Sequence, residues 1–157
     1  MTQQNVPDSA NVIAFPPLIY GTAVVIGLVV HNIIPLHFLP STPARWLGIL
    51  LVLLSIMIVT SAYRALARAK TTFDVRKPTT AIVSDGAFRY SRNPMYLSLT
   101  LLYFGIAFLV NSLWLLLLVL PVVIFIQWGV IEREERYLER KFGQVYLLYK
   151  GRVRRWV

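Results

Sequence analysis

The chain has 157 residues, 57% hydrophobic and 15% charged, with a net charge of +9. Soluble domains lie nearer roughly 45–50% apolar and about 25% charged, so this composition excludes a disordered tail and predicts a membrane bundle. Cys is absent and the only histidines are His31 and His37, which argues against a disulfide framework, a cysteine nucleophile or a protein-held metal site.

Four apolar runs follow in chain order, from about Pro17 to Ile34, Trp46 to Ala67, Pro94 to Val110 and Leu113 to Ile131. Each is near the roughly 20 residues that cross a hydrocarbon core of about 30 Å as a helix. The first has no basic stretch before it and no small-residue cleavage site after it, and so reads as a retained span. Asn111-Ser112 leaves room only for a tight turn, which makes the third and fourth runs a helical hairpin. One of these two is short enough that full crossing stays open. The polar stretch from Thr71 to Tyr90, with Pro78 and the turn signal Asp85-Gly86, is expected to be a loop with some structure. The tail from Glu132 is expected to form a helix ending near Gly143, a short helix from Gln144 to Lys150, and a basic end.

Charge orients the bundle. Seven of the 16 Lys and Arg residues lie between Arg64 and Arg92, eight between Arg133 and Arg155, and Arg45 stands alone. By the positive-inside rule the loop after the second run and the C-terminal tail are cytoplasmic, as are both termini. The net charge is thereby explained by topology and anionic headgroups, not by a nucleic-acid partner. The expectation is an all-α polytopic bundle of about four membrane helices with a cytoplasmic helical cap. Residues 1–157 form one domain, with two helices in 1–69 and the loop, hairpin and cap in 70–157.

Three places carry candidate chemistry. Asn93-Pro94 is a good helix start, and beside Arg89 and Arg92 it suits either a simple capping role or the binding of a carboxylate or phosphate. In the tail, Ile131, Leu138 and Phe142 fall on one helical stripe, with Arg133, Arg136 and Arg140 on the far face. Glu135 lies only about 40° from that stripe at 100° per residue. A carboxylate there must be paired with a loop arginine or serve as a ligand group, with Glu134 a weaker candidate on the flank. Tyr146 and Tyr149, three apart, are interface anchors or the wall of a cofactor pocket. Arg154, Arg155 and Trp156 are expected at the headgroup layer, whereas Arg152 is the basic residue reserved for a pocket.

Asp85-Gly86 through Arg92-Asn93-Pro94-Met95-Tyr96, the hairpin, and then Glu134-Glu135-Arg136, Phe142-Gly143, Tyr146, Tyr149 and Arg152-Val153 resemble the isoprenylcysteine carboxyl methyltransferases. The same residues are similar to the related phospholipid methyltransferases. The resemblance implies an integral membrane enzyme that uses S-adenosyl-L-methionine in a cytoplasm-facing pocket closed by the C-terminal helices. A lipid-like or prenylated acceptor would reach it from the bilayer. It further implies that Arg92, Asn93, Pro94, Tyr96, Glu135, Tyr146, Tyr149 and Arg152 line the cofactor pocket, with Arg92 and Glu135 as the catalytic positions. Asn93 stands where the carboxyl methyltransferases have His, Ser98 where Gly is common and Arg154 where the family ending has Pro. These departures bear on the acceptor more than on the cofactor. Two other readings share the pattern: an NADPH-dependent reductase similar to the membrane sterol reductases, and a non-enzymatic binding module. A bacterial inner membrane suits so small a chain.

Overall fold

The computed structural model describes residues 13, 15–71 and 79–157, all of them helix, turn or loop. Pro78 lies outside the described residues. The elements are α1 (Pro16–Ile33), α2 (Ser41–Arg68), a 3₁₀ turn (Gly86–Arg89), α3 (Pro94–Val110), α4 (Leu113–Ile126), a π-helical turn (Gln127–Ile131), α5 (Glu132–Phe142) and α6 (Gln144–Arg152). The helical membrane bundle expected from composition is therefore the observed fold.

The element ends follow local chemistry. Prolines in the first turn start α1 and α3, where a missing N–H costs nothing. Helix α2 begins at Ser41, five residues before the apolar run, because its polar first turn is still helix-compatible with Pro43 near the start. Asn111 ends α3 in the left-handed region, at φ 55°, and its side chain binds the backbone of Phe38 and Leu39 across the preceding connection. Ser112 then caps α4 by accepting from the Leu115 N–H at 3.4 Å. Gly143, at φ 51°, supplies the sharp break between α5 and α6.

By length and composition α1, α2 and the continuous helix Leu113–Phe142 can cross a membrane, while α3 is a shorter apolar helix of 17 residues. Within Leu113–Phe142 the apolar portion stops at Ile131. The segment beyond it, Glu132 to Lys141, carries eight charges in ten residues, too many for hydrocarbon. Helix α2 packs chiefly on α3 and α1 on α4. Two glycines allow the first contact: a Cβ on Gly48 would lie 2.8 Å from the Leu109 nitrogen, and one on Gly105 3.1 Å from the Val52 nitrogen. Polar ties inside the bundle are matched, with Tyr20 bonded to Thr100 at 2.7 Å and Ser55 donating to the Ser98 carbonyl at 2.7 Å. Large apolar side chains such as Val25, Leu50, Met57 and Leu120 point outward, as a lipid-facing surface requires.

Candidate functional site

The polar end of the bundle encloses a cavity of about 680 Å³, counting its open mouth. The first turn of α3 forms its floor with Arg92, Asn93, Pro94, Met95 and Tyr96; α5 contributes Glu134 and Leu138, and α6 contributes Tyr146 and Tyr149. Leu66, Val83 and Phe88 from α2 and the loop make an apolar side.

The C-terminal tail fixes this arrangement. Beyond α6 the chain turns back over the start of α3, where the Arg92 N–H donates to the Arg154 carbonyl at 2.9 Å. The Asn93 side chain donates to the Arg155 carbonyl at 3.0 Å, so it does not cap α3. The helix start is left without a side-chain cap on the cavity floor, with its dipole and free N–H groups available. Trp156 donates to the side chain of Gln127 at 3.0 Å, tying the tail to the π-helical turn, a geometry often found at functional sites.

Electrostatics separates the two adjacent carboxylates. Glu135 lies behind the cavity wall, held by Arg155 through two bonds of 3.1 and 2.8 Å and by Arg92 at 3.2 Å. One carboxylate thus serves two guanidiniums. The Arg92 side chain is only 9% exposed, and its Nε and Nη1 have no hydrogen-bond partner among the described residues. A buried guanidinium with two free donors is costly unless a ligand completes it. Glu134 faces the cavity and accepts from the Tyr96 hydroxyl at 2.8 Å. Burial pushes its carboxyl up to about 7, against a smaller lowering by the Tyr96 bond. Burial also raises the hydroxyls of Tyr146 and Tyr149, which keeps both phenols protonated. Their rings lie 6.2 Å apart, and Tyr149 donates to the Phe88 carbonyl at 2.8 Å.

Of the residues singled out in the sequence, the structure brings Arg92, Asn93, Pro94, Tyr96, Tyr146 and Tyr149 to one cavity. Glu135 touches that group from behind through Arg92, and Arg152 is exposed and apart from it. Arg155 and Trp156, expected at the headgroup layer, fold back onto Glu135 and Gln127 instead. Glu134 is the carboxylate on the cavity. Its position on the flank of the stripe was a weak signal, and nothing in the spacing pointed to Arg155.

Comparison with known proteins agrees with this construction. The phospholipid methyltransferase family profile matches residues 43–145, from the start of α2 into α6. An uncharacterized protein of Haemophilus influenzae is 45% identical over 64 residues, which is 40% of this chain and the whole of that protein. No solved structure matches the chain. With well over half its length matched, including α2, α3, α5 and most of the cavity wall, the chain belongs to the phospholipid methyltransferase family.

Proposed function

We propose that the protein is an S-adenosylmethionine-dependent methyltransferase acting on a lipophilic acceptor at the membrane–cytoplasm interface. The observation that carries this reading is Arg92: a buried guanidinium with two donors unpaired among the described residues, on the floor of a cavity with aromatic walls. Those donors suit the amino-acid carboxylate of the cofactor, and the uncapped start of α3 adds backbone N–H groups beside them. The faces of Tyr146 and Tyr149 suit a sulfonium cation, worth about 0.5–2 kcal/mol per aromatic contact. Bound S-adenosylmethionine supplies an electrophilic methyl group on sulfur. The protein's part is to hold the acceptor aligned and dry, which can contribute on the order of 7–11 kcal/mol of barrier lowering. Leu66, Val83 and Phe88 provide the water-excluding side.

A second, apolar crevice of about 540 Å³, counting its open mouth, supports a lipophilic acceptor. It lies between the start of α1 (Phe15, Pro16), Val59 of α2, and Ser98 and Leu99 of α3, and it shares Met95 and Tyr96 with the larger cavity. A prenylcysteine-like carboxylate and a phospholipid-like amine both carry an apolar tail that such a lining would take. The charge asymmetry supports cytoplasmic termini, and the small size of the chain suits an inner membrane of bacterial type.

Calorimetric titration of the detergent-purified protein with S-adenosylhomocysteine, with NADPH in parallel, tests the reading. Micromolar binding of the former is expected, weakened about 10- to 100-fold by Arg92→Ala, as for loss of a charged hydrogen bond of about 1.5–3 kcal/mol. Binding of NADPH alone would move the reading to a reductase. Failure of both ligands to bind a folded sample would leave a binding module.

A further inference from the structure

A groove on the outer surface between α1 and α4 shares no lining residue with the cavity or the crevice described above. Two depressions meet in it at Pro121. One is lined by Thr22, Ala23 and Leu118, the other by Phe125, Trp128, Gly129 and Arg133. The floor is low where Ala23 and Gly129 are small: a Cβ on Gly129 would already lie 3.3 Å from the Phe125 ring. Trp128 is 64% exposed where the apolar run gives way to charge, the usual place of an interfacial indole. From Trp128 to Leu118 the chain rises about 15 Å, half of a hydrocarbon core of about 30 Å. The groove therefore has the depth of one leaflet.

Its charged end is just as specific. Arg133 lines it, and Arg136 and Arg140 continue from Arg133 at helical spacing along the outer face of α5. The carboxylates among them are met by other cations: Glu132 lies 3.5 Å from Arg155, and Glu139 is bonded to Lys150. Arg136 approaches Glu132 only at 4.0 Å. The stripe thus keeps an excess of positive charge at the level of the headgroups. From the juxtaposition of this stripe with a leaflet-deep apolar groove, we infer that the α1–α4 groove binds one anionic phospholipid of the leaflet on the cap side. An acyl chain lies from Trp128 toward Leu118, and the phosphate sits beside Arg133 and the stripe. A partner helix would need a seam across the full core, whereas this groove spans half of it and opens on arginines. The inference concerns a surface outside the methyltransferase cavity and does not rest on that reading.

The test is native mass spectrometry of the delipidated, detergent-purified full chain, titrated with phosphatidylglycerol or with phosphatidylcholine of the same acyl chains. One phosphatidylglycerol should bind about 10-fold or more tightly than the first phosphatidylcholine, and it should raise the unfolding temperature, as a ligand of the native state does. Arg133→Gln with Arg140→Gln should weaken that first site on the order of 10-fold, whereas Arg64→Gln with Lys70→Gln, an equal loss of charge elsewhere, should leave it within about 2-fold. Thr22→Trp, at an exposed position, fills the apolar part and should weaken the site on the order of 10-fold with all arginines in place. Unfolding temperatures without lipid report whether each variant is folded. Equal affinity for the two lipids, or an equal loss in both charge-removed pairs, overturns the inference, because the attraction is then general. An unaffected first site in folded Thr22→Trp overturns it as well. A dimer that Thr22→Trp dissociates, with lipid binding unchanged, would give the groove to a second copy of the chain and overturn it too.

Discussion

Glu134 and Glu135 are adjacent, yet the fold gives one a bidentate arginine and the other a tyrosine hydroxyl. The cost of burying Glu134 as an anion has a measurable sign. Its native pKa of about 7 lies above the ordinary 4.5, so the folded state binds the proton more tightly than the unfolded chain between those values. Stability from this group is therefore present at low pH and lost as pH rises through about 7. Thermal unfolding in detergent should show wild type losing ground to Glu134→Gln between pH 4.5 and 7, with a constant gap above. Arg155 has a different role, because it shares Glu135 with Arg92 and so leaves Arg92 donors free. Arg155→Gln should weaken S-adenosylhomocysteine binding about 10-fold, and adding Glu135→Gln should restore much of it. The coupling in that cycle should be on the order of 0.5–3 kcal/mol. Helical periodicity was enough to place Glu135 on the inner side of α5. It does not determine that a residue 20 positions later returns to meet it, since that contact depends on where the tail turns after α6.

At the level of elements, hydropathy located the spans and proline placement gave the start of α3 to the residue. The π-helical turn was not legible, because Gln127–Ile131 continues the apolar run without a break in pattern. Nor was the α2–α3 contact, which rests on two backbones approaching at Gly48 and Gly105. Isolated glycines in apolar runs say nothing of which neighbour they meet. The contact is specific enough to break: Gly105→Ala places a methyl 2.6 Å from Val52 Cγ2 and 3.1 Å from the Val52 nitrogen. Overpacking of this kind should cost about 1–3 kcal/mol, read as a lowered unfolding temperature in detergent. Because α3 carries the cavity floor on its first turn, the same variant should also weaken S-adenosylhomocysteine binding.

For the whole molecule, the lack of cysteine makes orientation directly measurable. Single cysteines at Ser41 and Arg152, both exposed, should react with an impermeant maleimide from opposite sides of the membrane, Ser41→Cys from outside and Arg152→Cys only after permeabilisation. Labelling of both from one side would overturn that topology. The Arg92–Arg155 corner bears on how the protein reaches this state. Its two halves flank the α3–α4 hairpin in sequence, and they meet only when that hairpin has folded back on itself. A chain whose hairpin stalls in the wrong compartment keeps its apolar helices but has no closed corner. Any ligand that binds there therefore recognises completed insertion, and by mass action it draws the population toward correctly threaded molecules.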